Sequence, residues 1–181
     1  ARPARVAGWV VAEEHKRRAA GEAPLAQERW GRLVLPCGFT LTAKADRIDT
    51  LPDGRLALYD YKTGTPPSLK AMEAFDKQLL LEALIAARGG FEEIAQAEVA
   101  RVCYIGLGSA PKLVPRPIDP DEIGTIADDL ARLVARYAQR AQGYTARNYV
   151  QKQRFEGDYD HLSRHGEWDE ADPPQPHEVG P

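Results

Sequence analysis

The sequence predicts a mixed α/β fold, a central β-sheet flanked by helices, and three observations carry that reading. Two strand-like runs, 39–50 and 55–62, are joined by the turn sequence Pro52-Asp53-Gly54, which makes a β-hairpin. Apolar residues recur at helical spacing in one segment before the hairpin and in two after it. The resulting order is helix, three strands, helix, two strands, helix, which lacks the repeated strand-helix alternation of a doubly wound parallel sheet.

Each element has its own signal. Over 6–20, Trp9, Val10 and Val11 followed by Glu13-Glu14-His15-Lys16-Arg17-Arg18 predict an amphipathic helix, closed by Gly21 and Pro24. Trp30, Leu33, Val34 and Leu35 mark a strand over 28–36, and Leu41, Ala43 and Ala45 alternate along a second over 39–50. The third, 55–62, stops at Thr63-Gly64-Thr65-Pro66-Pro67, so the three strands are expected to be antiparallel neighbours. Ser68 is placed to cap one long helix running through Phe75, Leu79, Leu80, Leu81, Leu84 and Ile85 to Gly89-Gly90. A buried strand over 97–107 and a turn over 108–112 follow. The run 113–118, interrupted by prolines, suits a sheet edge. Asp119 and Asp121 open a last helix to about residue 143, with Ile123, Ile126, Leu130, Leu133, Val134 and Tyr137 on one side.

At 181 residues the chain is long enough for one domain, and 43% hydrophobic with 28% charged residues is ordinary for a globular protein. The core is expected over 1–143, an aromatic extension docked on it over 144–170, and a disordered Pro-rich tail over 171–181. Tyr149, Phe155, Tyr159, Leu162 and Trp168 would anchor the extension. Its cations Arg147, Lys152, Arg154 and Arg164 also suit single-stranded nucleic acid. No apolar run approaches the roughly 20 residues of a membrane span, and no signal peptide is evident. A net charge of −3 excludes a globally basic nucleic-acid binder, so any phosphate-binding surface must be local. Cys37 and Cys103 form neither a C-x-x-C pair nor a disulfide framework; both are expected to be reduced, buried residues of a cytoplasmic protein. The opening Ala-Arg-Pro-Ala-Arg, without an initiator Met, leads us to expect a piece of a longer polypeptide.

The hairpin carries the chemistry. Asp60 and Lys62 are two apart, so on a strand they leave the same face, and the paired strand can bring Asp46 alongside. Two acids and a cation suit a divalent ion that receives a phosphate, with lysine handling the charge or proton of an attacking water. Taken alone, Asp46, Arg47, Asp49, Asp60 and Lys62 read more simply as a solvated face of surface ion pairs. Asp49 and Asp53 read as hairpin residues, and Glu13 and Glu14 as solvated helix residues.

Context separates these readings. Ala43-Lys44-Ala45-Asp46-Arg47-Ile48-Asp49, then Asp60-Tyr61-Lys62-Thr63-Gly64, then Gln78-Leu79 resemble the motifs G-x-x-D-R-I-D, D-Y-K-T-G and Q-L of the PD-(D/E)xK nuclease superfamily in its RecB-like branch. With 65–68, 78–85 and 155–162 included, most of the chain is similar to the family of AddB-type nuclease domains of helicase-nucleases. That resemblance implies a restriction-endonuclease-like core and a Mg²⁺-dependent DNase, Mn²⁺ substituting. It would hydrolyse unwound single-stranded DNA in double-strand break repair and recombination, beside an AddA-like helicase-nuclease subunit at the nucleoid. By position it makes Asp46 and Asp60 metal-binding carboxylates, the Tyr61 carbonyl a further ligand, Lys62 the catalytic lysine and Gln78 a residue that positions lysine, water or DNA. Glu28 falls about where relatives carry an auxiliary acid.

Three departures accompany the resemblance. Ala43 replaces the motif glycine. The R-G-x-x-x-H pattern that supplies a metal-binding histidine is missing; His15 lies on the first helix in a different context and reads first as a surface residue, so that histidine is expected before Ala1. No cysteine occurs over 143–181, so no iron-sulfur cluster is expected. A catalytically inactive module that keeps the fold and binds or scaffolds DNA is the alternative.

Overall fold

In a computed structural model, residues 2–142 are described, and the expected extension and tail lie outside them. The chain divides into two compact units, residues 1–131 and 132–181. The first holds α1 (Arg2–Ala19), β1 (Ala23–Val34), β2 (Thr40–Thr50), β3 (Leu56–Lys62), α2 (Leu69–Ala74), α3 (Gln78–Ala87), β4 (Val99–Gly106), β5 (Lys112–Pro117) and the start of α4 (Pro120–Tyr137). The described part of the second is the end of α4 and a 3-10 turn, Arg140–Gln142.

The five strands form one sheet in the order β1-β2-β3-β4-β5, antiparallel except for the parallel pair β3 and β4. The first three strands are antiparallel neighbours, as their short connections require. Gly54 supplies the positive φ of 83° that lets the β2–β3 turn close. The parallel step from β3 to β4 needs a long crossover, which α2 and α3 provide. β5, which carries Pro115 and Pro117, lies at the sheet edge, where a missing N–H breaks no ladder.

The two faces of the sheet differ chemically. On one, Ile48, Leu56, Leu58, Val99 and Val102 pack with Leu79, Leu80, Ala83 and Leu84 of α3, and Ile123 of α4 joins them. On the other, Ala57, Tyr59, Cys103 and Ile105 form a smaller cluster with Trp9 of α1 against it. A sheet covered on both faces explains why β3 and β4 read as nearly continuous apolar runs.

Two expectations need correction. The helix expected from Ser68 to Gly89 is two helices. Ser68 caps α2, its Oγ accepting from the Ala71 N–H at 3.2 Å, but Phe75 leaves helical geometry at φ −128°. Asp76 Oδ1 then accepts from the Tyr104 hydroxyl at 2.6 Å and from the Gln78 N–H at 3.4 Å, so a new helix begins at Gln78. That break sets Gln78 at a helix start facing the end of β3. Cys103 is buried as expected, whereas Cys37, in the turn between β1 and β2, is exposed. Both are free thiols.

Candidate active site

The β2–β3 ladder pairs Thr50 with Leu56 through Arg47 with Tyr59 and goes no further. The next pair would be Asp46 with Asp60. There Asp46 instead turns its carboxylate to the β3 backbone, Oδ2 accepting from the Tyr61 N–H at 2.9 Å. The N–H and C=O of one residue leave an extended strand by the same edge, so the Tyr61 carbonyl also faces the opening beside Asp46. Local register has brought two carboxylates and a carbonyl to one notch.

Lys62 and Gln78 close the other side. Lys62 Nζ donates to Asp60 Oδ1 at 3.1 Å and to Gln78 Oε1 at 3.0 Å, and it lies 5.2 Å from the centre of the buried Tyr104 ring. Gln78 Nε2 donates to Asp60 Oδ1 at 2.8 Å, which makes a triangle of acid, cation and amide. Asp60 Oδ2, also buried, lies 2.9 Å from Nζ as an ion pair but takes no hydrogen bond. Burial raises the Asp60 pKa above the ordinary aspartate value; the hydrogen bond and charge of Lys62 pull it back, and the charge of Asp46 adds to the rise.

Sequence reasoning gave no role to Glu82. It sits one turn after Gln78 on α3, is 2% exposed, and accepts from Gln78 Nε2 at 3.1 Å through Oε1, while Oε2 has no partner. Burial pushes its pKa up to about 7; the Gln78 hydrogen bond opposes this and the charges of Asp60 and Asp46 reinforce it. The signal was a lone acid inside Leu79-Leu80-Leu81-Glu82-Ala83-Leu84-Ile85, four residues after the motif glutamine.

Asp49, expected as a hairpin residue, and Glu14, expected as a solvated helix residue, belong to a charge network on the α1 face. Asp49 is 0% exposed, and Arg47 donates to both its oxygens at 2.6 Å through Nε and Nη2. Arg47 Nη1 reaches Glu14 Oε2 at 2.8 Å, and Arg17 and Arg18 bond the same carboxylate at 2.7 and 2.9 Å. The Arg47 hydrogen bond foremost, against the opposing effect of burial and with help from Arg18 and Arg17, holds the Glu14 pKa well below the ordinary range. Burial by itself would lower the Arg47 pKa, yet its bonds to Asp49 and Glu14 raise it. These groups anchor α1 and do not enter the Asp60–Lys62–Gln78 triangle.

Asp46, Asp60, Tyr61, Lys62 and Gln78 are thus brought together. His15 is not among them: it is exposed on α1 and lines a cleft of about 440 Å³ with Glu14, Arg47 and Tyr61. Glu28 lies within β1 rather than at its start, has φ 50°, and its exposed carboxylate pairs with Lys44. Asp53 bonds Arg55 in the hairpin turn, where an Asp was expected.

The donor set of the notch is hard: two aspartates and a carbonyl oxygen, with one buried aspartate oxygen lacking a hydrogen bond. Among the described residues no three His, Cys, Asp or Glu side chains are grouped to hold an ion. Two carboxylates nevertheless fit Mg²⁺, which keeps several waters and takes one or two protein acids beside a phosphate.

No curated protein matches the sequence. Eight chains of solved structures match, among them one described as "Crystal structure of SSO0001", at 15% identity and a TM-score of 0.35 over 72% of this chain. This chain spans 61% of that structure's length. A family profile is more extensive: that of the PD-(D/E)XK nuclease superfamily matches residues 1–159. With a mixed sheet of five strands and flanking helices beneath the match, the chain belongs to the PD-(D/E)XK nuclease superfamily.

Proposed function

We propose that this chain is a metal-dependent DNase domain that hydrolyses phosphodiester bonds of unwound single-stranded DNA. The observation that carries the proposal is the closed triangle of Asp60, Lys62 and Gln78 beside the Asp46 notch. Asp46, Asp60 and the Tyr61 carbonyl would hold Mg²⁺, or Mn²⁺ in its place. When bound, the ion supplies Lewis acidity to the scissile phosphate.

The remaining work falls to the side chains. Lys62, 33% exposed, can turn its ammonium from Asp60 toward an incoming phosphate and offset the charge that builds there, or orient the attacking water. Gln78 and Asp60 hold that ammonium in place until then. The AddB-like segments support placing the domain in a helicase-nuclease of double-strand break repair and recombination, beside an AddA-like subunit, in the cytoplasm at the nucleoid. No helix among the described residues is long and apolar enough to cross a membrane.

The test is degradation of DNA by the purified protein with Mg²⁺, compared with Asp60→Ala and Lys62→Ala variants that keep the parent circular dichroism. Loss of cleavage in both is expected; unchanged cleavage in both removes the proposal. The donor count favours a second reading, a nuclease-fold module that binds or scaffolds DNA without turnover, because among the described residues two carboxylates meet at the notch and no group of three is found. Calorimetric titration separates the two: binding of Mg²⁺ or Mn²⁺ that disappears in Asp60→Ala supports the enzyme, and DNA binding without ion binding supports the module.

A further inference from the structure

We propose that Glu82 is a positioning residue of this site, setting the Gln78 amide so that its oxygen holds Lys62 against Asp60. The inference rests on the nuclease reading above and adds to it a residue to which the resemblance assigned no role. A primary amide has two N–H donors at one end and a carbonyl acceptor at the other. Here the donor end meets two carboxylates, Asp60 Oδ1 at 2.8 Å and Glu82 Oε1 at 3.1 Å, and the acceptor end meets Lys62 Nζ at 3.0 Å. A half-turn of the amide would set N–H groups against an ammonium and a carbonyl oxygen against two carboxylates. The contacts with Lys62 and Asp60 would change from attractive to repulsive, and so would that with Glu82 in its ionised form. At the donor end Asp60 supplies one acceptor, and Glu82 adds a second.

Helix geometry puts Glu82 there. Residues four apart on an α-helix are neighbours on one face, so Glu82 lies directly beneath Gln78 on α3. Packing gives no reason for an acid at this position. It is flanked by Leu79, Ala83, Leu84 and Ile85, all buried, where an apolar residue of similar volume would avoid the cost of burying a carboxylate. Oε2 has no partner, and the hydrogen bond to Gln78 is the one that Glu82 makes among the described residues. A buried acid with one bond, made to the residue that holds the lysine, acts through that residue.

The test reads the amide itself. In the ¹⁵N-labelled chain, the Gln78 side-chain N–H pair is expected to exchange with solvent more slowly than the amides of exposed glutamines. In Glu82→Met that protection is lost, and in Glu82→Gln, which keeps an acceptor oxygen at the same reach, it is retained. On single-stranded DNA with Mg²⁺, Glu82→Met lowers kcat by about tenfold to a hundredfold with KM unchanged, and Glu82→Gln recovers most of the loss. A Gln78 amide that exchanges freely in the parent overturns the proposal without any variant. So does parent-like protection in a folded Glu82→Met, or an equal loss of kcat in the Met and Gln variants. A parent that cleaves no DNA overturns the nuclease reading instead, and amide exchange still decides the role of Glu82.

Discussion

In the proposed reaction Lys62 is the residue on which the chemistry turns, and its surroundings set this lysine apart from others on the surface. Its ammonium has a buried acid, an amide oxygen and an aromatic face around it, so it is held in one orientation while a third of the side chain remains open to a ligand. The motif residues were legible because their spacing along strands dictates which side chains share a face. Asp49 was not, because nothing in the turn sequence reveals that Arg47 folds over it and that α1 then covers both. A testable consequence follows from that burial. Removing Arg47 leaves the Asp49 carboxylate, 0% exposed, without its two bonds, so Arg47→Met is expected to destabilise the fold by about 3–5 kcal/mol in urea unfolding. The double variant Arg47→Met/Asp49→Leu should recover most of that loss.

At the scale of elements, the site depends on two irregularities that propensity alone does not mark. The β2–β3 ladder ends one pair early, which frees Asp46 for the Tyr61 N–H, and the expected long helix breaks at Phe75, which brings Gln78 to a helix start. No Gly or Pro interrupts Leu69 to Ala87, so the break was invisible in the sequence; it is stabilised by Asp76 and Tyr104, partners far apart in the chain. The strands themselves were readable from alternation and turn residues, although β1 begins at Ala23, ahead of the Trp30-centred apolar run that marked it. The packing of α3 on β1 gives a further prediction. A Cβ on Gly31 would fall 2.6 Å from the Phe91 ring and 2.9 Å from Ile85 Cγ2, so Gly31→Ala is expected to cost about 1–3 kcal/mol in thermal or urea unfolding.

Over the whole molecule, two carboxylates couple stability to pH with opposite signs. Glu14 is held below its ordinary pKa, so its contribution is present above the ordinary value and is lost as pH falls through the lowered one. Glu82 binds its proton more tightly in the folded chain, from an ordinary 4.5 up to about 7, so its effect is a loss of stability as pH rises through that window. Asp60, also raised, adds in the same direction. The Glu82 shift corresponds to about 3 kcal/mol. In metal-free buffer the parent is therefore expected to melt at higher temperature at pH 5 than at pH 8, and Glu82→Gln to remove most of that difference. An unchanged slope in the variant would assign the dependence to other groups.

The fold class was legible because alternation, helical periodicity and short turns agree from one element to the next. The Glu14–Arg47–Asp49 network and the role of Glu82 were not, because both depend on partners that only the assembled sheet brings near. The Asp60–Lys62–Gln78 triangle beside Asp46 is proposed as the nuclease centre. The most direct measurement is the rate of Mg²⁺-dependent cleavage of labelled single-stranded DNA by the purified protein and by its Lys62→Met variant, with ion binding followed by calorimetry in both. Ion binding is expected to persist in the variant while cleavage is lost; cleavage at the parent rate in a folded Lys62→Met would rule out a nuclease centre at this lysine.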